Sequence, residues 1–137
     1  MIRTFYILFA FWALTGGANA AVECKAPIES CMTECMNIGS SLDASYCYAN
    51  EMAKADKDLN AQYKHLTPLA KKYDAGVANA LLRSEKAWII FRDRNCEMAR
   101  QLDLDNHDFE HKDCMLRMTR ERAIELKDIA DFIEGRL

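Results

Sequence analysis

The chain has 137 residues, 50% of them hydrophobic and 28% charged, with a formal net charge of −3. That length fits one domain with a modest core, and the mild acidity argues against a nucleic-acid binder, which would need a basic face. A charge of this sign suits a basic partner, and the six cysteines call for an account of their own.

The first segment, "MIRTFYILFAFWALTGGANA", places Arg3 before an unbroken apolar run from Phe5 to Leu14 and ends in Ala18-Asn19-Ala20. A basic start, a short apolar stretch and small residues at the cut describe a cleaved secretory signal peptide over residues 1–20. The apolar run is much shorter than the roughly 20 residues that span a bilayer, and "AVEC" puts no cysteine at the new N-terminus for a lipid. The expected mature chain runs 21–137, periplasmic or secreted, with no membrane anchor. Removing Arg3 takes the formal charge from −3 to −4.

Residues 21–42 form a cysteine-rich segment holding Cys24, Cys31 and Cys35. Pro27 is placed to start a short helix over "IESCMTECMNI", which Gly39-Ser40-Ser41 would end. The segment has too few apolar residues to hold itself, so covalent tethering is expected.

A helical domain follows over 43–135. From Asp43 to Leu66 apolar residues recur at 48, 52, 55, 59, 63 and 66, the period of an amphipathic helix. Thr67-Pro68 interrupts the pattern, with Thr67 a potential N-cap and Pro68 at a first helical position. From Val77 to Glu134 there is neither Gly nor Pro. Leu81, Trp88, Phe91, Met98 and Leu102 mark one face of a second helix. Leu116, Ala123, Leu126, Ala130 and Ile133 mark a third, which Gly135 is placed to end. The polar "DLDNHD" at 103–108 is the turn between them. No strand-like alternation competes, so the predicted fold is all-α: a three-helix antiparallel bundle with a disulfide-tethered N-terminal segment.

All six cysteines lie in the mature chain, and small exported domains use them as bridges. Cys96 and Cys114 flank the turn and come level in an antiparallel hairpin, so they are the natural pair. Cys47 then pairs with the N-terminal segment. Cys35–Cys47 with Cys24–Cys31 is the connectivity read here; Cys31–Cys47 with Cys24–Cys35 stays open. Cys31-x3-Cys35 has neither the thioredoxin spacing nor a partner motif for a zinc set.

Two motifs invite a chemical reading. "HDFEH" at 107–111 matches H-x-x-E-H of inverted zinc peptidases, with His107 and His111 as ligands and Glu110 as base. A match of five residues with two free positions is weak, and the motif opens at a turn in a chain too small for the usual cleft. Adventitious metal binding by the two His with Asp105 or Asp108 is a second reading. A polar turn rich in acids that start helices is the plainest, and no metal or cofactor is expected. In "RMTRER" at 117–122, Arg117 and Glu121 are an i,i+4 pair, which fits a solvated, pair-laced face better than an anion site.

Taken together, "ADKDLNAQYKHL", "RSEKAWIIFRDRNC" and "CMLRMTRERAIEL" resemble the LprI-like lysozyme-inhibitor domain, a family of small exported bacterial helical proteins. Its pattern falls here on Leu59, Asn60 and Tyr63; on Trp88, Phe91, Arg92, Asp93 and Cys96; and on Cys114, Thr119, Arg122 and Leu126. The resemblance covers about 45–130. The turn differs: many members carry glycine and proline there, and this chain carries acids.

Trp88 and Arg92 are four apart on one helical face, so the guanidinium is expected over the indole. Trp88 and Phe91 are expected to supply large buried area. Arg92 should pair with an acid or helix-end carbonyl of a neighbouring helix, with Asn60, Tyr63 and Thr119 as candidate hydrogen-bond partners. The motif therefore reads as structural, and catalysis is not expected. The resemblance implies a binding protein whose partner is a protein such as lysozyme. Asp103, Asp105, His107 and Asp108 are the candidate contact residues. A periplasmic adaptor module with no lysozyme role is the alternative.

Overall fold

In a computed structural model, described over residues 34–35, 37, 39–102 and 108–137, the chain is all-α. Helix α1 runs Ser41–Tyr73, α2 Ala75–Leu102 and α3 Phe109–Glu134. Residues 1–33, and with them the expected signal peptide, Cys24, Cys31 and most of the short helix expected at Pro27, lie outside the described residues, as do Asp103, Asp105 and His107.

Gly39-Ser40-Ser41 works as a helix start. Gly39 has φ +48, a left-handed conformation that glycine takes without a Cβ penalty. It delivers Ser40 as the N-cap of α1. The Ser40 hydroxyl accepts from the Asp43 N–H at 3.3 Å, and the Asp43 carboxylate accepts from the Ser40 N–H at 3.2 Å, a reciprocal capping box. The same hydroxyl holds the Asp43 carboxyl below its ordinary pKa.

Pro68 does not end α1, contrary to the sequence reading; the helix continues through it to Tyr73. A proline inside a helix removes one backbone bond at a cost of about 3 kcal/mol. Here Pro68 and Lys64, whose carbonyl loses its donor, are both on the exposed side, where solvent can satisfy that carbonyl. The flanking Leu66 and Ala70 are fully buried, so core packing offsets the loss. Thr67 Oγ1 donates to the Tyr63 carbonyl at 2.7 Å and does not cap.

The chain reverses at one residue, Asp74. Its N–H bonds the Ala70 carbonyl at 3.0 Å, ending α1, and its Oδ1 accepts from the Val77 N–H at 3.0 Å, starting α2. Glycine at 76 makes room for this cap, because a Cβ there would lie 2.8 Å from Asp74 Oδ1. At the other reversal Asp108 takes φ 59 before α3. Gly135 ends α3 in a right-handed conformation, φ −64, with its N–H on the Asp131 carbonyl.

The helices run up, down and up. Tyr48 lies by Lys112 and His65 meets Glu134, so α1 and α3 are parallel, and they share the largest interface. Cys96–Cys114 and Glu85–Arg122 set α2 antiparallel to α3. The main core joins Leu66, Ala70, Leu81, Leu126, Ala130 and Ile133. Ala55 and Leu116 close the other end against Tyr48, Met52 and Phe109. All five predicted core positions of α3 are buried.

The face assigned to α2 needs correction. Leu81 is buried and Trp88 half-buried, but Phe91, Met98 and Leu102 are 59%, 59% and 70% exposed. The inward stripe is Leu81, Glu85, Trp88, Arg92, Cys96 and Ala99, stepping by four and three as a 3.6-residue period requires. Two of its members are charged, so a hydrophobic pattern slides one stripe over. No helix among the described residues is long and apolar enough to cross a membrane.

Candidate functional site

The motif residues gather in a polar layer between α2 and α3. Arg92 Cζ stands 5.1 Å from the Trp88 ring centroid and Arg122 Cζ 6.0 Å, so two guanidinium groups attend one indole. Arg92 Nη1 donates to Thr119 Oγ1 at 3.2 Å, and that hydroxyl donates in turn to the Met115 carbonyl at 2.7 Å. Arg92 takes its acid from its own helix: Asp93 Oδ1 accepts from Nε at 3.0 Å and Nη2 at 2.9 Å. The expected acid from a neighbouring helix is therefore replaced by the adjacent residue. Of the three candidate partners only Thr119 meets Arg92. Asn60 donates to the Asp56 carbonyl within α1, while Tyr63 and Leu59 pack against the main core. Leu126 is fully buried there. Phe91, read as buried, faces outward because it falls off the inward stripe.

Arg122 is the most heavily engaged side chain. Its Nε donates to Glu85 Oε1 at 2.8 Å, and Nη2 also reaches that oxygen and Ser84 Oγ, the latter at 3.0 Å. Nη1 donates to Glu125 Oε2 at 2.8 Å. Burial by itself opposes the charge, but the hydrogen bonds that the guanidinium donates to Glu125 and Glu85 outweigh it and hold the group above its ordinary pKa. A second inward pair, Arg120 with Glu51, ties α3 to α1. The run "RMTRER" is thus only partly a solvated face. Arg117 and Glu121 pair at 3.3 Å in the open, whereas Arg120 and Arg122 turn inward.

Glu85 and Glu51 escaped the sequence reading because an acid at a core register looks like a break in periodicity. The usable signal was register: Glu85 sits four after Leu81 and three before Trp88. Every buried side-chain nitrogen and oxygen among the described residues has a partner.

At one end of the bundle the geometry is covalent. Cys35 is bonded to Cys47 and Cys96 to Cys114. Met118 Sδ lies 3.7 and 3.8 Å from the two sulfurs of the second bridge. His111 Nδ1 is 3.0 Å from the Cys96 carbonyl, which can only accept, so Nδ1 carries the proton. Asp108 forms an ion pair with Arg100 at 3.3 Å. Because α1 and α3 begin where α2 ends, both bridges and Asp108 sit at the same end. Among the described residues no three His, Cys, Asp or Glu side chains gather to hold a metal, and His107 lies outside them.

A family model described as lysozyme inhibitor LprI matches residues 31–126. An uncharacterized protein of Rhizobium meliloti (strain 1021) is 28% identical over 127 residues, covering 82% of this chain and 91% of that relative. No solved structure matches. The matched span holds both observed bridges, the polar layer and most of all three helices, well over half of the sequence, and the chain therefore belongs to the LprI lysozyme-inhibitor family.

Proposed function

We propose that the protein is exported, cleaved after Ala20, and acts by stoichiometric binding to a basic protein, with lysozyme the partner its family favours. The contact is made by the bridged end of the bundle, where Asp103, Asp105, His107 and Asp108 lie in sequence between α2 and α3.

The observation that carries this reading is where the acidity falls. Helix α1 has five Lys and four Asp or Glu; α2 has five Lys or Arg and three acids; α3 has five and seven. The helices together hold one more cation than acids. The turn 103–108 has three Asp and no Lys or Arg, so the net negative charge lies outside the helices and is concentrated there. Charge of that kind steers encounter with a basic surface and acts mainly on the on-rate. Cys96–Cys114 ties together the two helices that flank the turn in sequence, which lowers the ordering cost of binding.

Residual lysozyme activity titrated with the purified chain 21–137 tests the partner. Loss that saturates at one equivalent supports inhibition. Activity unchanged at large excess rejects it and favours an adaptor role, the reading to which the acidic replacement of the turn also points. For the contact, Asp103, Asp105 and Asp108 changed together to Asn should slow association and flatten its salt dependence. An unchanged on-rate at low salt rejects the turn as the contact.

A further inference from the structure

We propose that the side of the bundle formed by α2 and α3, opposite α1, is an interface between two copies of this chain. The inference is independent of the lysozyme reading and leaves the bridged end free.

Helix α2 is the least covered of the three and carries six large apolar side chains in the open, Ile90 at 62% exposure among them. At 100° per residue, Arg83, Ala87, Ile90, Phe91, Arg94 and Met98 fall within roughly a 100° arc that looks away from the inward stripe. Such a stripe exceeds the scattered exposure that needs no explanation. Its charges are also unspent. Arg92 and Arg100 have acids, but Arg83, Lys86 and Arg94 have no ion-pair partner among the described residues.

Helix α3 presents the complement. Met118 and Arg122 look toward α2 and Arg120 toward α1. Glu121, Glu125, Asp128 and Phe132 follow on the α2 side, turned outward, with Phe132 54% exposed. Asp128 has no ion-pair partner among the described residues. On α2, Ser84 and Asn95 touch α3, and Phe91 and Met98 come next on the outward side. Both stripes therefore open on one side.

A twofold axis along the bundle between α2 and α3 lays each α2 over the other copy's α3. Arg83 then meets the acids of the other copy's α3, while Phe91, Met98 and Phe132 each approach their own counterparts across the axis, the self-complementarity a closed dimer requires. Glu85 lies level with Arg122, so Arg83 comes opposite the Glu125–Asp128 turn of the second copy. Two helices of 28 and 26 residues, at 1.5 Å per residue and about 10 Å across, offer on the order of 800 Å² per copy, the area of a standard interface. An anionic lipid surface would suit the α2 cations, but the acids of α3 on the same side would be repelled by it.

Sedimentation of the chain 21–137 up to about 200 µM, without any partner, tests the proposal by mass action. A dimer that weakens with salt is expected. Phe91→Glu should give a monomer that melts as the wild type does at concentrations too low for dimerisation, since Phe91 is outside the core. Arg83→Asp and Asp128→Arg should each weaken dimerisation about tenfold, and the two together should restore it. A monomer at every concentration, a dimer indifferent to Phe91→Glu, or a monomer that floats with phosphatidylglycerol vesicles would overturn the proposal. Failure of lysozyme inhibition would leave it untouched.

Discussion

Glu85 and Arg122 form an ion pair whose side chains are each 11% exposed, and the two ends of that pair are not equivalent. Removing one partner of a buried pair costs about 3–5 kcal/mol because the other charge is left uncompensated. Arg122 has reserves: after Glu85→Gln it keeps Glu125 at 2.8 Å and Ser84 at 3.0 Å, so the loss should fall to about 2–3 kcal/mol. Glu85 has none, since Arg122 is its sole charged partner among the described residues. Arg122→Met should therefore cost more, about 4–5 kcal/mol. The double change Glu85→Leu with Arg122→Met should recover most of both losses, as buried pairs replaced by apolar residues of similar volume often do, and the cycle should show coupling of about 2 kcal/mol or more. Urea unfolding followed by tryptophan fluorescence measures this directly. The sequence has Trp12 and Trp88 only, and a chain beginning at residue 21 retains Trp88, 6.0 Å from Arg122. Equal costs for the two single changes, or a larger one for Glu85→Gln, would refute the asymmetry.

Trp88→Ala should cost about 3 kcal/mol by urea unfolding, the low end for a core aromatic, because the ring is half-buried and lies against two guanidinium groups; a loss under about 1 kcal/mol would mean the layer does not depend on it. Replacing Cys96 and Cys114 by Ala opens a loop with a sequence separation of 18 and should cost about 3 kcal/mol, read as a lower melting temperature that reductant does not lower further at this bridge. Burial raises the Asp113 pKa, opposed by Arg117, so the folded protein holds that proton more tightly than the unfolded chain. The associated stability is present below the unfolded value of 3.8 and is lost as pH rises through the folded value. Asp113→Asn should accordingly raise the melting temperature at pH 7 and leave it unchanged near about pH 3; the reverse pattern would contradict the burial argument.

Helical periodicity determined much of this protein. Leu116, Ala123, Leu126, Ala130 and Ile133 can be read as a core stripe in α3 because every inward position there is apolar or small. The bridge between Cys96 and Cys114 follows from their equal distance to a polar turn. Where tertiary contacts overrode local rules, the sequence misled. Pro68 looks like a boundary until Leu66 and Ala70 are seen to anchor both sides of it. Phe91, Met98 and Leu102 look like a core until Glu85 and Arg92 occupy the inward positions. An acid or an arginine at such a position is tolerated only when a partner on another helix satisfies it, as Arg122 does for Glu85 and Thr119 for Arg92. That pairing joins residues 37 and 27 apart in the chain, and no local pattern records it. The sequence by itself thus determined the three helices and their order. Only the folded arrangement decided which side of α2 is buried, because the choice depends on charges brought together from separate helices.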